Sequence, residues 1–386
     1  MTDKLLTEAH GTLTETEVIP YLRERGLVDG ASVVDGDIRV LDVSRRNRNF
    51  RVLRSAGPSF LLKQGVARDS FSAVAREARA YELFGPLPHS VGAGSSPAFR
   101  HAPTAYAYDD ERDVLVLELV TGVENLRVRH RRARRPPRDA ARAVGRALAA
   151  LHQLVPATVD LATAQRLLGA GEPGVLSVQR PGLSMLRDFS SACVDLVRMV
   201  QAAPDVPELL AGLRQDWRTD TLIHHDVRWD NFLLPLPRAR NGARGRREVM
   251  LVDWETAALG DPCWDVGAVF GEYLGDWLSS VPGVAGEPPE RFLHLARCPL
   301  ESVQPAVRSF WSAYVGQAGL AAGQASEHLL RSVRYSGLKL VQSGLEQVQR
   351  SARWTVCTVS FLQVGVNILT RPEEAGAVLL GLGGVA

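Results

Sequence analysis

The rhythm of hydrophobic and polar positions changes about a third of the way along the chain. Up to about residue 120 the dominant period is two. Ile38–Val43 alternates apolar and polar residues, and Phe50–Arg54 does so again after the polar loop 44–49. Phe60-Leu61-Leu62-Lys63 follows the turn Ala56-Gly57-Pro58-Ser59. Alternation broken by such turns predicts three antiparallel strands. Residues 72–84 switch to helical spacing, with Val74, Ala78, Tyr81 and Leu83 on an apolar face. Val114–Val120, apolar except for Glu118 and stopped by Gly122, reads as a buried strand. From Asp139 the helical rhythm takes over, with Val144, Leu148 and Leu151 at i, i+4 and i+7. Further helices are expected over 185–202, 206–218, 302–320, 325–349 and 352–370. The expectation is an α+β chain with a small antiparallel-sheet lobe, residues 1–120, and a large helical lobe, residues 121–386.

Composition narrows the class. A 386-residue chain that is 45% hydrophobic and 23% charged has ample material for a core, which excludes disorder as its main state. The formal net charge is only +2. Two segments are nonetheless Arg-rich, 127–138 and 238–247, and neither interleaves aromatic residues, so nucleic acid is not the expected partner. They read either as solvated loops or as an anion-attracting rim for an acidic or phosphorylated substrate. The four cysteines form no CxxC pair, so neither a zinc site nor a disulfide framework is indicated. The N-terminus lacks the pattern of a signal peptide. The most apolar stretch, residues 355–370, contains Gln363 and Asn367, so no membrane span is expected and the protein reads as cytoplasmic. Of the 45 basic residues only Lys4, Lys63 and Lys339 are lysines. A bias this strong toward Arg makes each retained Lys informative, because the two cations differ in shape and hydration.

The densest chemistry lies in Leu222–Leu234. His224, Asp226 and Asn231 precede a short apolar strand, and a second one, Val249–Val252, ends in Asp253-Trp254-Glu255. Gly260-Asp261-Pro262-Cys263-Trp264-Asp265 follows. Phosphoryl transfer needs these residue types: a carboxylate to orient the attacking hydroxyl, which suits Asp226, and hard oxygen ligands for Mg²⁺, which suit Asn231 and Asp253.

The joint pattern H-x-D-x-x-x-x-N at 224–231, D-W-E at 253–255 and G-D-P-x-W-D at 260–265 resembles the aminoglycoside phosphotransferase and choline kinase superfamily. Gly145–His152 resembles that family's first helix of the large lobe, which often ends in Leu-His. The resemblance covers roughly residues 35–275 and implies a bilobal protein-kinase-like fold with ATP between the lobes. It implies that Lys63 contacts the phosphates and pairs with Glu77, and that Glu118 and Val120 lie in the linker whose backbone binds adenine. His224 and Asp265 would brace the catalytic loop and Trp264 would be core; Asp230 reads as a helper carboxylate or a loop cap, the cap being favoured. Arg228 and Trp229 are candidates for lining the acceptor site, although a packed Trp fits position 229 equally well. His225 stands where the family often has Gly.

The sequence also departs from the pattern. The loop 44–49 that should cover the phosphates has no glycine, so side chains such as Ser44 and Asn47 would supply the donors. The spacing from Asp226 to Asp253 is long, and segment 238–247 accounts for the excess. The implied activity is ATP- and Mg²⁺-dependent transfer of a phosphoryl group to a hydroxyl of a small molecule or natural product. The alternatives are a Ser/Thr kinase acting on a peptide in a ribosomal natural-product pathway and a nucleotide-binding pseudokinase. A polycationic acceptor would call for an acidic pocket, and residues 302–386 contain no acidic cluster in sequence.

Overall fold

The computed structural model describes residues 11–34, 36–44, 47–65, 72–85, 99–133, 135–187, 189–236, 248–282 and 295–383. The Arg-rich segment 238–247 lies outside the described residues, as do residues 1–10 and Arg45 and Arg46 of the glycine-free loop. The chain divides into two compact units. The first comprises Met1–Val123 with Arg166–Leu168 and Pro235–Ala257; the second comprises Glu124–Gln165, Gly169–Leu234 and Ala258–Ala386.

The first unit is built on a five-stranded antiparallel sheet. Its strands are β1 (Ile38–Asp42), β2 (Arg48–Arg54), β3 (Phe60–Gln64), β4 (Ala105–Asp109) and β5 (Val114–Glu118), in the order β1-β2-β3-β5-β4. Period-two patterning sorts its faces. Phe50, Val52, Phe60, Leu62, Val114 and Val116 bury one face together with Val18, Tyr21 and Leu22 of the helix Glu15–Glu24. Lys63 lies opposite Leu115 in the β3–β5 register, on the other face. There it meets the helix Ala73–Phe84, whose first turn is capped by Ser72 accepting from the Ala75 N–H at 2.9 Å. Gln64, on the core face, accepts from the Leu13 N–H at 2.8 Å and so ties the N-terminal segment to β3.

The second unit is helical. The helix Pro262–Ser279 is buried along nearly its whole circumference and packs against Ala322–Ser351, which in turn packs against Val356–Thr370. Arg138–His152 packs along Leu300–Ala318. A Cβ at Gly145 would come within 2.5 Å of the Phe310 carbonyl, so that crossing needs glycine. A two-stranded ribbon, Thr221–Ile223 against Ala258–Gly260, leads into residues 224–231.

Three differences from the periodicity have clear causes. The helix expected over 185–202 is two pieces, Leu183–Arg187 and Ser191–Ala202, because Ser190 caps the second by accepting from the Cys193 N–H. Pro262–Ser279 has no amphipathic stripe to detect, since almost every side is buried. The Arg-rich stretch 127–138 is not all loop: Leu126–Arg132 is a helix, capped by Asn125. All four cysteines are free, and no described helix is long and apolar enough to cross a membrane.

Candidate active site

In the first unit the site centres on one ammonium. Lys63 Nζ donates to both carboxylate oxygens of Glu77, at 2.9 and 2.7 Å, and to Asp253 Oδ1 at 2.9 Å. Burial alone would lower the Lys63 pKa, but the two carboxylates outweigh it and raise it above the ordinary lysine value. Lys63 therefore stays charged. Glu77 is fully buried on the helix Ala73–Phe84 and also accepts from the Trp254 N–H at 3.4 Å.

Trp254 explains how Asp253 is placed. Its indole is buried, with ring centroids 4.8 Å from Phe84 and 5.7 Å from Phe99, and its Nε1 donates to the Leu251 carbonyl at 3.2 Å. Asp253 itself has φ +70°, a left-handed conformation that costs a non-glycine residue about 1–2 kcal/mol. Strain held this way by packed neighbours is common at functional sites. The side chain of Asp253 remains 42% exposed.

The linker and the glycine-free loop are less committed. The Glu118 N–H donates to the Thr104 carbonyl at 2.7 Å and the Leu119 N–H to the Ser59 carbonyl at 2.8 Å. Val120 makes no hydrogen bond among the described residues. Ser44 Oγ accepts from the Asn49 N–H at 3.0 Å, so its hydroxyl shapes the loop; Asn47 is half-buried beside it.

The second unit carries the H-x-D-x-x-x-x-N loop. Asp265, fully buried, is its brace: Oδ2 accepts from the His224 N–H at 2.7 Å and Oδ1 from the His225 N–H at 3.0 Å. His152, the last residue of the helix Arg138–His152, lies 3.3 Å from Asp265 Oδ2 and 2.9 Å from the Tyr314 hydroxyl. Burial would raise the Asp265 pKa, but the His152 hydrogen bond and charge and the His224 contacts hold it below the ordinary carboxylate value. His225 has φ +70°, which accounts for a preference for glycine at this position, and Trp264 Nε1 donates to its carbonyl at 3.0 Å. His224 is buried, so its side chain sits inside the brace and not at the surface.

Asp226, 30% exposed, accepts from Arg228 Nε at 2.7 Å, and Arg228 also donates to Glu346 at 2.9 Å. Burial would raise the Asp226 pKa; Arg228, Lys339 and His224 reverse it, so the group is a carboxylate at neutral pH. Asn231 Nδ2 donates to the Asp226 carbonyl at 2.9 Å, which leaves its amide oxygen for another partner.

Two readings of the neighbouring residues are corrected. Trp229 is fully buried, packed on His130 and Tyr273, with its Nε1 donating to Asp276 at 2.9 Å, so it is a core residue and does not line an acceptor site. Asp230 is not a loop cap: it accepts from Arg127 Nε at 2.6 Å and from Asn125 Nδ2 at 3.3 Å. Arg228 does line a cavity of about 320 Å³ in the second unit, together with Arg127, Glu272, Lys339 and Glu346. The basic stretch 127–138 is partly spent on internal pairs, since Arg129 and Arg132 both bind Glu124 at 2.9 Å.

The sequence reading missed Lys339. It is 6% exposed, in the helix Ala322–Ser351, with its ammonium 5.0 Å from the ring centroid of Trp264. The scarcity of lysine that singled out Lys63 pointed to it equally.

The profile of the phosphotransferase enzyme family matches residues 37–287, well over half of the chain. The chain belongs to that family and is a phosphotransferase of protein-kinase-like fold. Among solved structures it is similar to choline kinase from Cryptosporidium parvum Iowa II, with a TM-score of 0.58 and 14% identity over 95% of this chain and 98% of that one. It is also similar to a choline/ethanolamine kinase family protein from Mesorhizobium loti, with a TM-score of 0.48 and 14% identity over 92% and 93% of the two chains. A macrolide 2'-phosphotransferase from Brachybacterium faecium gives a TM-score of 0.45 and 17% identity over 89% and 97%. At these identities the likeness concerns the fold. No curated protein sequence matches the chain.

Proposed function

We propose that the protein is an ATP- and Mg²⁺-dependent kinase that phosphorylates a hydroxyl group of a small molecule. The observation that carries this reading is the buried Lys63 ammonium held between Glu77 and Asp253. A permanently charged donor with fixed counter-charges suits triphosphate binding, where positioning and charge neutralisation provide most of the acceleration. Val120, with unused backbone groups beyond β5, suits the adenine edge.

The available donors fit Mg²⁺. The Asn231 amide oxygen and the exposed Asp253 carboxylate are hard oxygen ligands, the kind this ion takes. When bound, the ion would neutralise phosphate charge. Asp226 would accept a hydrogen bond from the acceptor hydroxyl and orient its oxygen toward the γ-phosphorus. The new O–P bond forms as the bond from the γ-phosphorus to the β–γ bridging oxygen breaks. ADP leaves, and the hydroxyl proton passes through Asp226 to solvent. With its pKa held low, Asp226 acts more by orientation than by basicity.

A cavity of about 320 Å³ lies at the lower end of small-molecule pockets and favours a small acceptor over a peptide. The test is acceptor-dependent ADP release by wild type and Asp226→Ala. Loss of about 10²–10⁴-fold is expected. Retention within tenfold would remove Asp226 from this role.

A further inference from the structure

Lys339 is an ammonium buried to 6% exposure, and among the described residues it makes no hydrogen bond and no ion pair. Its contact with the Trp264 ring offsets only part of the cost of desolvating a charge. Burial pushes its pKa below the ordinary lysine value, even though the carboxylates of Asp226, Glu346 and Glu272 act in the opposite direction. A buried lysine without a counter-charge is poised to take one from a ligand, and Lys339 lines the cavity beside Arg228, whose Nε is 2.7 Å from Asp226 Oδ1.

The acids of the cavity wall are already engaged. Arg127 binds Asp230 at 2.6 Å and Glu272 at 3.2 Å, Arg228 binds Glu346, and Asp276 accepts from Trp229 Nε1. The wall thus holds its carboxylates on protein donors and leaves three cations, Lys339, Arg131 and Arg350, without an acidic partner among the described residues.

We propose that the acceptor carries an oxyanion, a carboxylate or a phosphate monoester, beside the hydroxyl that is phosphorylated, and that Lys339 binds this oxyanion. The proposal rests on the phosphotransferase reading above and adds the charge class of its acceptor. It also runs against a polycationic acceptor, which would place its charges against Lys339, Arg131 and Arg350.

The chain's three lysines make the test direct. Protein labelled with ¹⁵N-lysine has three side-chain signals, assigned with Lys63→Met and Lys339→Met. It is titrated with glycerate, glycerol 3-phosphate, glycerol and choline, and with a serine peptide flanked by glutamates against its glutamine counterpart. The expected result is a saturable shift of the Lys339 signal with at least one anionic alcohol. The matched neutral compound and choline should bind at least tenfold more weakly, and Lys339→Met should lose that preference. A response to glycerate or glycerol 3-phosphate assigns the oxyanion to a small acceptor, and a response to the acidic peptide alone assigns it to a peptide. Equal binding of neutral or cationic alcohols, or no anion response at Lys339, overturns the proposal. If Lys339→Met does not fold, the discrimination by wild type decides the matter alone. ATP-dependent phosphorylation of each compound is followed in parallel. Phosphorylation of glycerol or choline without anion binding overturns the subsite and leaves the phosphotransferase reading standing. Anion binding with no phosphorylation of any alcohol overturns that reading and leaves the subsite.

Discussion

The two units each bury a lysine, and they treat it in opposite ways. Lys63 in the first unit meets Glu77 and Asp253 within 2.9 Å, and its pKa rises. Lys339 in the second has a tryptophan face and no carboxylate in ion-pair reach among the described residues, and its pKa falls. The first ammonium is neutralised within the fold and is part of its stability. The second is a cost to the fold, which makes sense if the missing counter-charge arrives with a ligand. Both lysines survive a bias toward arginine, so the same compositional signal marks two different physical situations.

Removing each ammonium should separate them most clearly. Lys63→Met leaves the fully buried Glu77 carboxylate without its counter-charge, and a loss of about 3–5 kcal/mol is expected from denaturant unfolding. A loss under 1 kcal/mol would mean that the Lys63 pair contributes little to the fold. Asp265→Asn tests whether the second unit relies on a buried carboxylate of its own. It weakens two backbone hydrogen bonds and the His152 contact, and about 2–3 kcal/mol should be lost. Because the folded-state pKa of Asp265 is depressed, its contribution is present above the unfolded value of about 3.9 and is lost as pH falls through the folded value. Stability of the Asn variant should therefore fall less steeply on acidification below about pH 4, as read by melting temperature against pH.

Lys339→Met keeps the aliphatic stem and removes the uncompensated charge. Its melting temperature should match or exceed that of wild type, with a change within about 1 kcal/mol. A destabilisation as large as that of Lys63→Met would erase the contrast between the two sites. The smallest effect is expected at His225. Glycine there relieves a left-handed conformation and loses the imidazole packing beside Trp264, for a net gain of about 0.5 kcal/mol in denaturant unfolding. A loss of 1 kcal/mol or more would show that the imidazole packing outweighs the strain.

Much of the site was legible in one dimension. The spacing of His224, Asp226 and Asn231 and the run Asp253-Trp254-Glu255 are local patterns, and alternation put Lys63 on a strand. The strands β2 and β3 and the helix over 73–84 were visible because each has one buried face, which leaves a period in the sequence. The helix Pro262–Ser279 was not, because burial on nearly all sides erases the period. Trp229 could have faced an acceptor or a core by its sequence alone, and only the packing of His130 and Tyr273 around it settled the matter.

The sequence by itself determined the family, the loop that carries Asp226 and the significance of a retained lysine. The tertiary structure decided which charges are answered and which are not. Whether Lys63 or Lys339 finds a carboxylate depends on neighbours from distant parts of the chain, and burial and ion pairing are properties of those neighbours. No local spacing encodes them.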